Sequence, residues 1–308
     1  MARLSSPIEE LKTHYAVVVV GSGYGGGISA SRLARAGQEV CVLERGKEFQ
    51  PGEYPNTRDA AFDEVQMDLW FDSCVRGSRK GLFDLRFNPE MNVFVGCGLG
   101  GTSLVNASVC MEAENKVFAQ PEWPVEIRKP EGLAEMSQGY RLAKDMLKPV
   151  AYNFSNEPKK FPPLSKLSAL EQSAAHLQEP FTPTPINVTF EELPNNTNHV
   201  GVEQHRCVGC GDCMSGCNYR AKNTVLMNYL PDAKNHGAEI FTEISVRRIE
   251  KQENRWLIQY QILSTGEEAV DSPTRAISAD VVVLAAGTLG STEILLRSRD
   301  HLALSPRV

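Results

Sequence analysis

The segment from Tyr15 to Glu44 restricts the fold more tightly than any other part of the chain. Tyr15 to Val20 is an unbroken apolar, valine-rich run, the pattern of a strand covered on both faces. Gly21, Gly23 and Gly26 follow at the G-x-G-x-x-G spacing. At that spacing the first glycine allows a tight turn, the second lets a pyrophosphate approach the backbone, and the third lets a helix pack on the strand. Ile28 to Ala36 continue as the helix, whose unpaired N-terminal N–H groups and positive dipole end suit phosphate. Val40 to Leu43 give the next strand, and Glu44 closes it about 20 residues on, where a ribose hydroxyl acceptor is expected. Strand, helix, strand and acid in one register identify a dinucleotide site.

The 308 residues suffice for one large or two ordinary domains. The formal charge is −6 with no basic stripe, which argues against a nucleic-acid partner. No apolar run approaches the ~20 residues of a transmembrane segment. The first dozen residues, with Glu9 and Glu10, carry no cleavable apolar segment, so the N-x-S/T triplets at Asn153, Asn187 and Asn195 read as chance matches. Eight cysteines without an export signal point to thiols or metal ligands, and to a cytoplasmic location.

A second glycine-rich stretch, Gly96 to Ser103, runs on into Val105 and Asn106 and permits close packing of backbone on a flat ligand. Helical periodicity follows at Leu133, Met136, Tyr140, Ala143 and Leu147, and again from Leu164 to Leu177. Prolines from Pro180 to Pro194 mark irregular coil. Ile240 to Ile249 and Trp256 to Ile262 read as two antiparallel strands, and Val281 to Ala286 as a buried strand leading through Gly287 into a helix ending near Leu296. The order fits an α/β doubly wound sheet with an inserted β-meander and a partial cap or substrate-side layer. The expected division is a first cofactor-binding part at 13–112, a cap region at 113–235 and a return segment at 236–308.

In three blocks, Gly21 to Glu44, Gly96 to Asn106 and Ala285 to Leu296, the chain resembles the glucose–methanol–choline flavoprotein oxidoreductases, in particular their cholesterol-oxidase-like branch. The resemblance spans nearly the whole chain and implies FAD rather than NAD. It carries Gly100, Gly101, Ser103 and Asn106 over as flavin contacts, Tyr24 and Gly25 as the pyrophosphate turn, Glu44 as the adenosine ribose acceptor, and Val246 as a backbone reading adenine. For Asn106, capping of the local backbone is the competing reading. The implied reaction is oxidation of the CH–OH group of an apolar, sterol-like alcohol, with hydride passing to flavin and a base taking the hydroxyl proton. In the family that base is a histidine towards the end of a longer chain. His14, His176, His199, His205, His236 and His301 match none of its catalytic positions, so the expectation is an N-terminal portion, with a C-terminal partner chain or segment supplying the rest.

Cys207, Cys210, Cys213 and Cys217 stand at C-x-x-C-x-x-C-x-x-x-C, spacing that resembles a bacterial ferredoxin run and suits a 4Fe-4S iron–sulfur cluster. Asn218 replaces the proline that ends such runs, and a single cluster would need Cys217 to fold back or a distant ligand such as Cys74, Cys97 or Cys110. Tetrahedral zinc and a loop of free thiols or one disulfide are the alternatives, whereas Cys41 belongs to a buried strand. The competing functional readings are therefore an electron-transfer flavoprotein subunit carrying that cluster and a non-catalytic FAD-binding fragment.

Overall fold

Valines facing both ways out of one strand organise the molecule. In the computed structural model, which describes residues 3–69, 76–152, 163–265 and 274–305, strand β1 (His14–Val20) leads into helix α1 (Tyr24–Arg35) and then strand β2 (Val40–Leu43), parallel to β1. After a short helix α2 (Arg58–Asp63), strands β3 (Val65–Leu69), β4 (Arg76–Gly77), β5 (Phe83–Phe87) and β6 (Val93–Gly96) form a second sheet in the order β4-β3-β5-β6. Short helices α3 (Asn115–Phe118) and α4 (Val125–Arg128) precede the longer α5 (Pro130–Leu147). The two-residue strands β7 (Val150–Ala151) and β8 (Pro185–Ile186) flank α6 (Ser165–Leu177). Helix α7 (Tyr229–Asn235), strands β9 (Glu239–Phe241), β10 (Ile244–Gln252), β11 (Arg255–Ile262) and β12 (Arg275–Leu284), and helix α8 (Gly287–Arg297) complete the described chain.

The main sheet has the order β10-β11-β12-β1-β2-β9. β12, β1, β2 and β9 are parallel, while β10, β11 and β12 form the antiparallel meander. Val17 and Val19 pack on one face with Ala30 and Ala34 of α1 and Leu230 and Ala233 of α7. Val18 and Val20 pack on the other with Ile244, Ile258 and Ile294. Burial on both faces is why β1 shows a continuous apolar run and no alternation.

The expected strand from Ile240 to Ile249 is in fact two strands. Glu243 has φ +59° and donates its N–H to the Gly46 carbonyl at 3.1 Å. There the chain leaves parallel pairing with β2 and enters the meander, a break that unchanged apolar content conceals. β12 also begins earlier than expected, at Arg275, because its first half pairs with β11 and its second half with β1.

A charged clamp joins α1 to α7. The buried Asp232 carboxylate accepts from Arg35 Nε at 2.7 Å, Arg35 Nη2 at 2.6 Å and Ser31 Oγ at 2.5 Å. Burial by itself would raise this carboxyl, but the hydrogen bonds from Arg35 and Ser31 overcome it and hold the group below its usual range. Stability from the clamp is therefore present above the unfolded aspartate pKa of ~3.9 and is lost as pH falls through the lower folded value. Asp232→Asn should cost about 2 kcal/mol at pH 7, since Arg35 is half exposed. The gap between thermal melts of the two proteins should begin to close below about pH 4 and vanish only below the folded value. A difference that stays constant down to pH 2 would show that the charge is not the stabilising element.

Candidate cofactor site

The turn between β1 and α1 contains two kinds of glycine. Gly21 has φ +93°, and a Cβ there would lie 2.6 Å from the Ala285 carbonyl oxygen; one on Gly26 would lie 1.9 Å from the Gly21 oxygen. These two permit close packing of strand, turn and helix. A Cβ on Gly23 would meet nothing within 4 Å, and one on Gly25 only the Ala285 Cβ at 4.0 Å. Gly23 is also the N-cap of α1 and provides no side-chain cap. The start of the helix thus presents donors lacking intrahelical partners, at the positive end of its dipole, to an open cradle.

Glu44, at the end of β2, is buried. Its Oε2 accepts from the Ser22 N–H at 3.0 Å and Ser22 Oγ at 2.6 Å, and its Oε1 from the Gly46 N–H at 2.8 Å. The carboxylate therefore anchors the glycine turn to the strand end while Oε1 keeps acceptor capacity. Arg45 follows it and joins this corner to the second sheet through Asp84 at 2.6 Å and Gln66 at 2.9 Å. Val246 is buried at a bulge in β10, two residues beyond Ile244, whose N–H bonds the Glu44 carbonyl at 2.9 Å.

β6 delivers the second glycine stretch directly beside the first. Gly100 and Gly101 have φ of +113° and +57°, and a Cβ on Gly101 would lie 2.9 Å from the Gly23 Cα. The Gly100 N–H donates to Ser22 Oγ at 2.9 Å. Asn106 Nδ2 donates to the Tyr24 hydroxyl at 3.0 Å, and Asn106 Oδ1 accepts from the Ser108 N–H at 3.1 Å. Asn106 thus caps its own turn and also reaches the first glycine motif. Burial pushes the Tyr24 phenol up, so Tyr24 is a neutral hydroxyl at pH 7.

Ser103 supports the second glycine turn from inside. It is 1% exposed, donates to the Gly100 carbonyl at 2.6 Å and accepts from the Val225 N–H at 3.1 Å. With its donor and one of its two lone pairs engaged, the hydroxyl braces the turn against Val225.

The cysteine run finds no support as a cluster site. Among the described residues, no group of three or more His, Cys, Asp or Glu side chains is placed to hold a metal ion. The two ends of the run have different hydrogen-bond partners. The Cys207 N–H bonds the Thr189 carbonyl at 2.8 Å, while Asn218 accepts from Gly52 and Tyr54 at 2.7 and 3.1 Å. Cys207 and Cys217 pack on Val188, Phe190 and Ala221, and Cys210 is exposed. Burial pushes the Cys207 and Cys213 thiols up. Cys97 and Cys110 are free thiols, burial raising that of Cys97 to about 11; Cys74 lies outside the described residues.

A cavity of 390 Å³ lies between Lys148, Thr189, His199, Gln204 and Asn223. Burial and the Lys148 charge lower the His199 pKa, so this imidazole is neutral at pH 7. Other histidines bond elsewhere: His14 with Ser278, His205 with Glu203, His236 with the Asp232 carbonyl and His301 with Arg248. Sequence reasoning missed Lys222, 2% exposed, whose ammonium sits behind Asn106. A charged residue inside an otherwise apolar and amide-rich stretch was the available signal.

A family model described as GMC oxidoreductase matches residues 24–299. A cholesterol oxidase of Mycobacterium tuberculosis is 29% identical over 304 residues, covering 94% of this chain and 49% of that protein. A long-chain-alcohol oxidase of Arabidopsis thaliana is 28% identical over 293 residues, covering 92% of this chain and 34% of its own length. A solved fungal aryl-alcohol oxidase shares the fold, with TM-score 0.51 and 17% identity over 91% of this chain and 46% of that one. The chain thus spans about half or less of the length of these relatives. With the family model matched from the first glycine turn to the end of α8, the chain belongs to the GMC oxidoreductases.

Proposed function

We propose that this chain binds FAD and forms the cofactor-holding part of an oxidoreductase acting on the CH–OH group of an apolar, sterol-like alcohol. The observation that carries the reading is the open cradle at Gly23 and Gly25 on the uncapped start of α1. A diphosphate fits it, and Glu44 stands where the attached ribose would need an acceptor. FAD is the cofactor of the family, and when bound it supplies a hydride acceptor. Tyr24, Gly100, Gly101 and Asn106 shape the adjoining surface, and the Val246 backbone borders the adenosine end. Beside Asn106, Val109 and Met111 are 55% and 69% exposed, giving an apolar margin suited to an apolar alcohol or to a covering chain. No residue here is assigned as the base; a further segment or partner chain supplying it is part of the proposal. The electron-transfer alternative, with a 4Fe-4S cluster in the cysteine run, has no assembled ligand set among the described residues to rest on.

The test is reconstitution of the purified 308-residue chain with FAD. About one flavin per chain should survive gel filtration, and NAD should not compete for it. An apoprotein that retains no flavin would refute the reading. Anaerobic bleaching by a sterol, measured with and without the C-terminal half of the mycobacterial relative as a second chain, then addresses the alcohol. Bleaching only with the second chain supports the divided site, whereas a flavin-loaded mixture that never bleaches leaves the fragment reading.

A further inference from the structure

Residues 221–230 are buried throughout, and Lys222 is the cation among them. Its ammonium donates to the Leu104 carbonyl at 3.0 Å, the Asn106 carbonyl at 2.7 Å and the Cys213 carbonyl at 2.9 Å. A lysine has three N–H donors, and each has an acceptor here. Two acceptors belong to the turn that presents Asn106; the third belongs to the cysteine loop. We propose that Lys222 is a positioning residue whose ammonium ties the Asn106 turn to the cysteine loop, so that loop and cofactor site are coupled.

This rests on the FAD reading above. Burying an ammonium without a carboxylate is costly, and burial pushes its pKa down to about 8, partly opposed by the nearby Cys213 and Cys217 thiols. That cost is offset only while the three carbonyls converge on it. Displacing the cysteine loop therefore removes one of the acceptors that hold the ammonium against Leu104 and Asn106. Apart from this tie the loop has exposed surface at Val208, Gly209 and Cys210, and left-handed glycines at 209, 211 and 216. Coupling between two sites is reciprocal, so FAD that orders the turn must also order the loop.

The experiment is alkylation of the full chain with iodoacetamide, with and without saturating FAD, followed at Cys213 by peptide mass spectrometry. Cys210, exposed on the same loop, reports general reagent access. Wild-type Cys213 should react about fivefold or more slowly with FAD bound. In Lys222→Met, which keeps the stem and removes the donors, this protection should disappear and FAD should bind about tenfold more weakly. If Lys222→Met does not fold, Lys222→Gln is read in the same way. A wild-type chain that binds FAD but alkylates at the same rate with and without it overturns this inference and leaves the FAD reading standing. So does a folded variant with wild-type affinity and protection. A wild type that binds no flavin overturns the FAD reading first.

Discussion

Valine at position 23 is expected to weaken FAD binding by about a hundredfold or more, nearly 3 kcal/mol, with little change in melting temperature. The two effects separate because Gly23 has φ −64°, ordinary for any residue, and its Cβ would enter space with nothing within 4 Å. The fold has no need of a glycine there; a pyrophosphate does, because its oxygens must approach the backbone N–H groups closely. Gly26→Ala makes the contrasting control. Its Cβ would lie 1.9 Å from the Gly21 oxygen, so backbone must move and the melting temperature should fall by several degrees. Flavin fluorescence titration and thermal melts on both variants decide the matter. A Gly23→Val chain with wild-type affinity would show that the cradle is not where the diphosphate sits.

Glu44→Ala is expected to weaken FAD about ten- to a hundredfold, because a hydrogen bond to a charged acceptor is worth about 1.5–3 kcal/mol. Unlike the Gly23 variant, it should also lower stability. The carboxylate serves the Ser22 N–H, the Ser22 hydroxyl and the Gly46 N–H, and alanine leaves the two buried N–H groups without that acceptor. Saturating FAD should raise the melting temperature of wild type more than that of the variant, since ligand stabilisation scales with the logarithm of ligand over Kd. Equal shifts for the two proteins would remove Glu44 from the ribose site and leave it a purely structural acid.

What was legible in the sequence is what short-range physics dictates. β1, α1 and β2 were readable because sandwiched strands are continuously apolar and the glycine spacing is local. The second sheet escaped notice because its strands mix charged and apolar residues, with Asp84 and Arg86 in β5 satisfied by partners such as Arg45 and Glu293. Such residues look like surface until their partners are known. The cysteine run misled for a related reason. Spacing reports which sulfurs could converge, whereas Thr189, Gly52 and Tyr54, all distant in sequence, hold its ends. The three acceptors of Lys222 are backbone carbonyls, invisible to any reading of side-chain chemistry.

The placement of β12 against β1 has a consequence for how the chain is made. His14 and Ser278 are paired across 264 positions, whereas the other neighbour of β1, β2, follows within one helix. During synthesis at about 5–20 residues per second, the valine edge of β1 waits roughly 13–50 s for its partner. Through that interval a flat apolar strand edge stands open to other chains. Assembly is therefore dominated by distant pairing and is intrinsically slow. Nascent chains released before residue 284 should be markedly more prone to aggregate than chains carrying β12 in full.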